Sequence, residues 1–277
     1  MILESALADA LYLNWAVPLA ALPPAPPGLR YDLAGGELRG GESVAFFSLV
    51  LFRQVGLHPR GASWLALSYP QVDARLYVRD SANTAAVLVL RQLVPGWVVP
   101  IGRLVGGQPL SAAVCEFPHG LPEEIPGPMP GAVPGAVPGA VPGAVPPDPR
   151  EWRWKFSAGA RFQVAMRLGA AGASAVGAAR SGPGWEAEAA FFCERQRTFW
   201  RQGAGVRRLE TEPSRTAVLP VRARLEQTEW LDIFLPFAPA AGWSEVHSSF
   251  LVSKVQMVFA FDTARELPVA APMAAAG

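Results

Sequence analysis

Four consecutive Pro-Gly-Ala-Val units occupy residues 130–145 and interrupt the chain near its middle. Proline at every fourth position removes backbone N–H donors, which excludes both an α-helix and a central β-strand there. The surrounding stretch, residues 118–150, contains 11 prolines and is therefore predicted to be an extended Pro/Gly-rich spacer. A proline motif that binds a partner is the alternative, but the repeat includes neither a basic nor an aromatic residue.

The composition predicts a folded protein with a large core. Of the 277 residues, 51% are apolar and 17% are charged, whereas an average protein has about 25% charged residues. This balance excludes a disordered chain. The formal net charge is +1, so neither nucleic acid nor an anionic membrane is expected as a partner. Two cysteines, Cys115 and Cys193, are too few and too far apart to predict a disulfide framework or a zinc site.

The apolar stretches indicate a cytoplasmic protein. Glu4 and Asp9 lie where a secretory signal would need an unbroken apolar run. The most apolar segment, residues 84–105, is interrupted by Arg91 and by prolines, so it predicts buried core and not a membrane helix.

Outside the spacer, the patterns are mainly those of β-strands. Residues 43–53 form a nearly continuous apolar run, which is typical of a strand covered on both faces. Residues 71–79 alternate, with apolar side chains on one face and Asp73, Arg75, Tyr77 and Arg79 on the other. Further strands are predicted at residues 84–94, 152–156, 160–168, 206–210, 217–227 and 249–261, and one helix at residues 185–194. The result is an α+β, mostly antiparallel β architecture.

Several motifs of large enzyme classes are absent from the sequence. No G-x-S-x-G, G-x-G-x-x-G or G-K-[ST] occurs, so a serine hydrolase, a dinucleotide site and a phosphate loop are not indicated. No cofactor and no metal ion are predicted. Of the histidines, His58 and His119 are interpreted as surface residues, whereas His247 is the better pocket candidate.

Several short segments resemble the motifs of one protein family, in the same order along the chain. The segments are residues 13–18 (LNWAVP) with 29–32 (LRYD), 44–46 (VAF), 72–79 (VDARLYVR), 191–195 (FFCER) and 247–250 (HSSF). They resemble the uncharacterised bacterial YqjF-like family, a domain of unknown function in the acetoacetate decarboxylase-like superfamily. In the segment 191–195, Cys193 stands where the family has threonine.

The resemblance implies a curved sheet or cone-like β-barrel with a few flanking helices. Because its motifs lie on both sides of the spacer, residues 1–277 are predicted to form a single domain. That domain is interrupted at residues 118–150 and ends in a flexible tail at residues 263–277. A barrel of this kind holds a small ligand if its interior is polar enough.

The lysines depart from what the resemblance implies for activity. Decarboxylases of the superfamily use a lysine that forms a Schiff base with a keto acid, but this chain has no lysine before Lys155. Lys155 alternates with tryptophans, and Lys254 has no basic neighbour. Arginine cannot act instead, since its guanidinium stays protonated. We therefore expect no Schiff-base chemistry, and any enzyme activity would be lyase-like on a small organic acid.

The predicted ligand pocket combines the polar face of one strand with the family-like motifs. Its candidate residues are Asp73, Arg75, Tyr77, Glu194, Arg195 and His247. Arg75 would bind the carboxylate of a small anionic or carbonyl compound, and Glu194 is predicted to be its ion-pair partner. In the alternative interpretation these charges are the solvated face of an antiparallel sheet. The protein would then be a non-catalytic structural or interaction scaffold. The oligomeric state is left open.

Overall fold

A computed structural model of the chain describes residues 1–33, 43–118, 151–167, 185–202, 205–213, 218–237, 242–243 and 246–261. The Pro-Gly-Ala-Val repeat, His119 and the tail at residues 263–277 lie outside these ranges. The predictions about them therefore stay predictions.

The described residues form mainly β-strands. In chain order the strands are β1 (Ile2–Pro18), β2 (Leu29–Tyr31), β3 (Val44–Pro59), β4 (Leu67–Asp80), β5 (Ala85–Val94), β6 (Leu110–Ala112), β7 (Val114–Glu116), β8 (Glu151–Ser157), β9 (Arg161–Arg167), β10 (Arg197–Gln202), β11 (Gly205–Pro213), β12 (Val218–Pro220), β13 (Arg222–Gln227) and β14 (Ser248–Phe261). The α-helices are α1 (Val98–Gly106) and α2 (Trp185–Cys193), and short 3₁₀ segments lie at Leu19–Ala21, Ser63–Leu65 and Glu229–Phe237.

Seven of the strands close into a barrel. Their order is β4-β3-β1-β14-β11-β10-β5, and β5 pairs back with β4. All of these pairs are antiparallel except β5–β10, which is parallel. A second, four-stranded antiparallel sheet has the order β13-β9-β8-β7. The predicted fold class, mostly antiparallel β with a barrel and few helices, is confirmed.

Strand β3 shows why the sequence forms a barrel with a second sheet beside it. Phe47 and Leu49 belong to the core that the barrel shares with the second sheet, whereas Phe46, Val50 and Phe52 belong to a separate core inside the barrel. Both faces of the strand are therefore buried. This confirms the interpretation of the continuous apolar run at residues 43–53.

The larger core lies between the barrel and the second sheet. Trp154 of β8 is fully buried there, and Phe156 stacks on Phe162 of β9 with 4.9 Å between the ring centroids. Arg153 and Lys155 alternate with these aromatic residues and are exposed. The period-two pattern at residues 152–156 thus predicted its strand correctly.

Two local predictions were wrong. Residues 84–105 were predicted to be buried core, but the segment ends in helix α1, on which Leu104 is 89% exposed. The helix tolerates Pro100 because the first turn needs no backbone N–H donors, and it ends at Gly107, whose φ of 59° is left-handed. The predicted strand at residues 217–227 is divided at Val221 into β12, which belongs to the barrel sheet, and β13, which belongs to the second sheet.

Among the described helices, none is long and apolar enough to span a membrane.

Candidate functional site

The interior of the barrel contains a cavity of about 1140 Å³. All seven barrel strands contribute side chains to its wall, together with α1. Helix α2 fills one end of the barrel, which we call the closed end, because Phe192 packs there against Phe46 and Tyr77 with centroid distances of 5.0 and 5.2 Å. Helix α1 and the turn Ser63–Leu65 border the other end, which we call the open end. The volume is slightly above the range of about 300–1,000 Å³ that is typical of ligand pockets.

The polar face of β4 points into this cavity. Asp73 and Arg75 line it, while the alternating Val72, Ala74 and Leu76 are buried in the core outside the barrel. The interpretation of this face as a solvated surface is therefore wrong. Both faces of the strand are covered, one by the second sheet and the other by the barrel interior.

Arg75 lies at the closed end and is held by neutral acceptors. Its Nη2 donates to the Tyr77 hydroxyl at 3.1 Å and to the Phe192 carbonyl oxygen at 3.0 Å, and its guanidinium lies 5.1 Å from the ring centroid of Tyr12. Within the described part of the chain, the Nε of Arg75 is buried and has no hydrogen-bond partner. Burial lowers the pKa of Arg75, but Tyr77, Tyr12 and Asp73 outweigh that effect and raise the pKa overall. The side chain therefore remains a cation.

Asp73 is fixed by two amide groups. Its Oδ1 accepts hydrogen bonds from Gln71 Nε2 at 2.7 Å and from Gln92 Nε2 at 3.2 Å. Burial raises the pKa of Asp73, and the bonds from the two glutamines and the charge of Arg75 offset this only in part. Asp73 is thus protonated more readily than an ordinary aspartate.

Tyr12 and Cys193 add two neutral donors beside Arg75. Burial raises the pKa of the Cys193 thiol to about 12, so this cysteine is not a thiolate nucleophile at neutral pH. Burial also raises the pKa of the Tyr12 phenol. The closed end of the cavity therefore presents a permanent cation together with un-ionised O–H and S–H groups.

The predicted ion pair between Arg75 and Glu194 is not formed. Glu194 lines the cavity with an exposed side chain, and no ion pair joins it to Arg75 among the described residues. The physical reason is that α2 ends just before Glu194, where its last carbonyl groups have no partners within the helix. The Phe192 carbonyl at that end accepts from Arg75 instead.

Arg195 is the arginine with a buried carboxylate partner. Its Nη1 lies 2.7 Å from Asp32 Oδ2, and both side chains are 5% exposed. Its Nε donates to the Phe191 carbonyl oxygen at 2.6 Å, so Arg195 also binds the end of α2. Burial lowers the pKa of Arg195, and Asp32 opposes that effect. The second oxygen of Asp32 accepts from Arg79 at 2.7 Å.

The six predicted site residues thus fall into three groups. Asp73, Arg75, Glu194 and Arg195 line the cavity. Tyr77 does not line the cavity, because it is packed against Phe192 in the core at the closed end, but it contacts Arg75. His247 is not part of the wall formed by the described residues, because it packs on Phe46 at 5.0 Å and lies 3.3 Å from Glu188.

Several functional neighbours were missed by sequence reasoning. Gln71 continues the alternation of Asp73 and Arg75, so the same period would have found it. Gln92 lies directly opposite Asp73 in the register of β4 and β5. Asp32 belongs to the family-like segment 29–32, but it is 163 residues from Arg195 and nothing local pairs the two. His58, predicted to be a surface residue, lines the open end and lies 3.7 Å from Glu4.

Neither lysine of the chain reaches the cavity wall. Lys155 is exposed on the second sheet, 3.8 Å from Glu116, and Lys254 points outward from β14 with an exposed side chain. Across the residues that the structure describes, no cluster of three histidine, cysteine or acidic side chains is placed to hold a metal ion.

The family is decided by comparison with known proteins. The family model for the uncharacterised conserved proteins called DUF2071 matches residues 4–232. The chain belongs to this family. No curated protein matches it.

Solved structures show the fold of this DUF2071 protein. The enduracididine biosynthesis enzyme MppR with HEPES buffer bound has a TM-score of 0.54 and 13% identity, covering 96% of this chain and 87% of that chain. MppR complexed with pyruvate has a TM-score of 0.53 and 13% identity, covering 93% and 87%. An acetoacetate decarboxylase-like enzyme from Sphingomonas wittichii RW1 has a TM-score of 0.51 and 14% identity, covering 96% and 94%. The DUF2071 protein therefore has the acetoacetate decarboxylase-like fold.

Proposed function

We propose that the protein binds a small organic acid in the barrel cavity, with Arg75 as the residue that holds the carboxylate. The observation that carries this proposal is the buried Nε of Arg75 at the closed end of the cavity, which has no hydrogen-bond partner among the described residues. Both N–H groups of Nη2 already donate, to Tyr77 and to Phe192, so a carboxylate would accept a charge-assisted hydrogen bond from the remaining Nε.

An anion at this position would supply what Arg75 lacks. A buried cation without a carboxylate partner costs several kcal/mol, and a bound carboxylate offsets that cost. The neutral hydroxyl of Tyr12 is next to the same guanidinium and can donate to the second carboxylate oxygen. The site is thus suited to a carboxylate, or to the carbonyl of a keto acid, and less to a cation.

The fold supports the same ligand class. MppR was solved in complex with pyruvate and also with the condensation product of pyruvate and imidazole 4-carboxaldehyde. Pyruvate is a small keto acid, and the second ligand is formed from it. At 12–13% identity the likeness extends to the fold and not to individual residues, so Arg75 is proposed from its own geometry.

The proposed chemistry uses no Schiff base. Both lysines lie outside the cavity wall, and an arginine cannot provide a neutral amine. A lyase-like reaction in this cavity would instead depend on Asp73 for proton transfer, because burial brings its pKa closer to neutrality than that of an ordinary aspartate.

Thermal-shift titration with pyruvate, acetoacetate and acetate tests the proposal. We expect concentration-dependent stabilisation of the wild type, its loss in Arg75→Gln, and its retention in Arg91→Gln, an exposed arginine on β5. Arg75→Lys keeps the charge without the planar fork and is expected to bind at least tenfold more weakly. Equal stabilisation of Arg75→Gln and the wild type would contradict the role of Arg75.

Borohydride reduction in the presence of acetoacetate tests the absence of a Schiff base. We expect intact-protein mass spectrometry to show no covalent adduct, since no lysine lines the cavity. A stable adduct on Lys254 would show that this part of the proposal is wrong.

A further inference from the structure

The cavity extends well beyond the space that a small carboxylate needs. Along β4 the inward residues Leu67, Tyr69, Gln71, Asp73 and Arg75 all line it. Successive residues of a strand are about 3.3 Å apart, so the wall from Arg75 to Leu67 is about 26 Å long. A three-carbon acid held at Arg75 would leave most of this length without a ligand.

The open end of the cavity is mainly apolar. Side chains from several barrel strands and from α1 surround it: Leu3, Leu57, Leu67, Ile101, Val105 and Phe259. Two of the polar side chains in this region already have partners, because Gln54 donates to Ser5 and His58 faces Glu4. A ligand group at the open end would therefore meet mainly hydrocarbon.

The rim of the open end is also apolar, although it is in contact with solvent. Leu65 is 44% exposed, Ile101 is 40% exposed and Val105 is 39% exposed, and all three line the cavity. Large apolar residues that are grouped at a cavity entrance mark a ligand groove more often than residues scattered singly over a surface. These residues would lose solvent contact if an apolar chain passed between them.

We propose that the ligand is an amphipathic acid whose carboxylate binds Arg75 and whose medium-length aliphatic chain lies along β4 towards Ile101 of α1. This inference rests on the proposed function, since it uses Arg75 as the anchor for the carboxylate. The two ends of the cavity then have separate roles, with charge selection at the closed end and chain-length selection at the open end.

A homologous series of acids tests the chain. We expect the Kd of butanoate, hexanoate, octanoate and decanoate, measured by isothermal titration calorimetry, to fall about three- to fourfold for each added methylene. Ile101→Asn is expected to weaken octanoate binding at least threefold and to leave butanoate unchanged. Leu104→Asn is the matched control, because Leu104 is on the same helix but does not line the cavity. Val105→Asn provides a second variant if Ile101→Asn does not fold.

The possible results separate this inference from the proposed function. Equal Kd values for all four acids, or no difference between Ile101→Asn and Leu104→Asn, would overturn the apolar-chain inference alone. No binding of any of the acids would overturn the proposed function and the inference with it. Octanol that binds as tightly as octanoate would overturn the role of Arg75 as the carboxylate anchor.

Discussion

Arg75 and Arg195 both bind the C-terminal end of helix α2, but among the described residues only Arg195 forms an ion pair with a carboxylate. Arg75 donates to the carbonyl of Phe192 and Arg195 to that of Phe191, where the helix dipole favours positive charge. Arg195 is neutralised by buried Asp32, whereas among the described residues Arg75 has neutral hydrogen-bond acceptors only. We therefore assign Arg195 to holding the fold and Arg75 to binding a ligand.

Asp32→Ala is expected to destabilise the protein strongly. The substitution leaves Arg195 buried without its carboxylate, which costs about 3–5 kcal/mol. Urea denaturation measures the loss in the free energy of unfolding. Glu116→Ala is the control, because Glu116 forms an exposed pair with Lys155 at 3.8 Å and such pairs contribute about 0–1 kcal/mol. Equal losses in the two variants would contradict the structural role of the Asp32–Arg195 pair.

Asp73→Asn is expected to change the pH dependence of stability. Because the pKa of Asp73 is raised in the folded protein, the group stabilises the fold fully below the ordinary value of about 3.9, and this contribution is lost as the pH rises through the raised value. The variant lacks this titration, so its Tm should equal that of the wild type at about pH 4 and exceed that of the wild type at about pH 7. Parallel pH profiles of Tm for Asp73→Asn and the wild type would contradict this prediction. Asp232→Asn, at an exposed aspartate, is the control and should leave the pH profile of Tm unchanged.

At the scale of residues, the sequence predicted the cavity-facing side chains and not their partners. Period two placed Asp73 and Arg75 on one face, because the alternation of a strand is a local property. Asp32 lies in the family-like segment 29–32, but its pairing with Arg195 depends on how the fold brings together two residues 163 positions apart, and the sequence does not show that. Glu194 was predicted to pair with Arg75 because its neighbours in sequence are apolar. That criterion ignores the carbonyl groups at the end of α2, which compete with Glu194 as acceptors for Arg75.

Elements with both faces buried were predicted best, and elements with a broken period were missed. Strand β1 was not predicted, because its register with β3 shifts between Ala8 and Leu11, where Asp9 has a left-handed φ of 56°. The bulge changes which alternate residues of β1 face the core, so no single period-two pattern of apolar residues runs through the whole strand. Helix α1 was missed because a short apolar run does not distinguish a helix from a buried strand.

Phe192→Ala in α2 is expected to lower the free energy of unfolding by about 3–5 kcal/mol. Phe192 is fully buried and fills the closed end of the barrel between Phe46, Tyr77 and Phe250. Chemical denaturation measures the change, and Trp64→Ala, at an exposed aromatic residue, should stay within about 0.5 kcal/mol of the wild type. A small effect of Phe192→Ala would show that α2 does not support the barrel.

The whole barrel takes strands from both sides of the Pro-Gly-Ala-Val repeat. Strand β1 pairs with β14, and β5 pairs with β10, so each side of the repeat supplies strands that the other needs. We expect limited proteolysis within residues 130–145 to cut the chain without separating the two parts. Size-exclusion chromatography under native conditions should then recover one particle that contains both fragments. Two independently folded fragments would contradict the single-domain prediction.

The pairing of β1 with β14 has a consequence for how the protein is made. Asn14 donates to Ser248, and the two residues are 234 positions apart in the chain. Since a ribosome adds about 5–20 residues each second, β1 is synthesised many seconds before its neighbour exists. During that interval the early strands have an unsatisfied edge, which favours self-association of the nascent chain. The high contact order also predicts slow refolding in vitro, limited by the search that brings the first and last strands together.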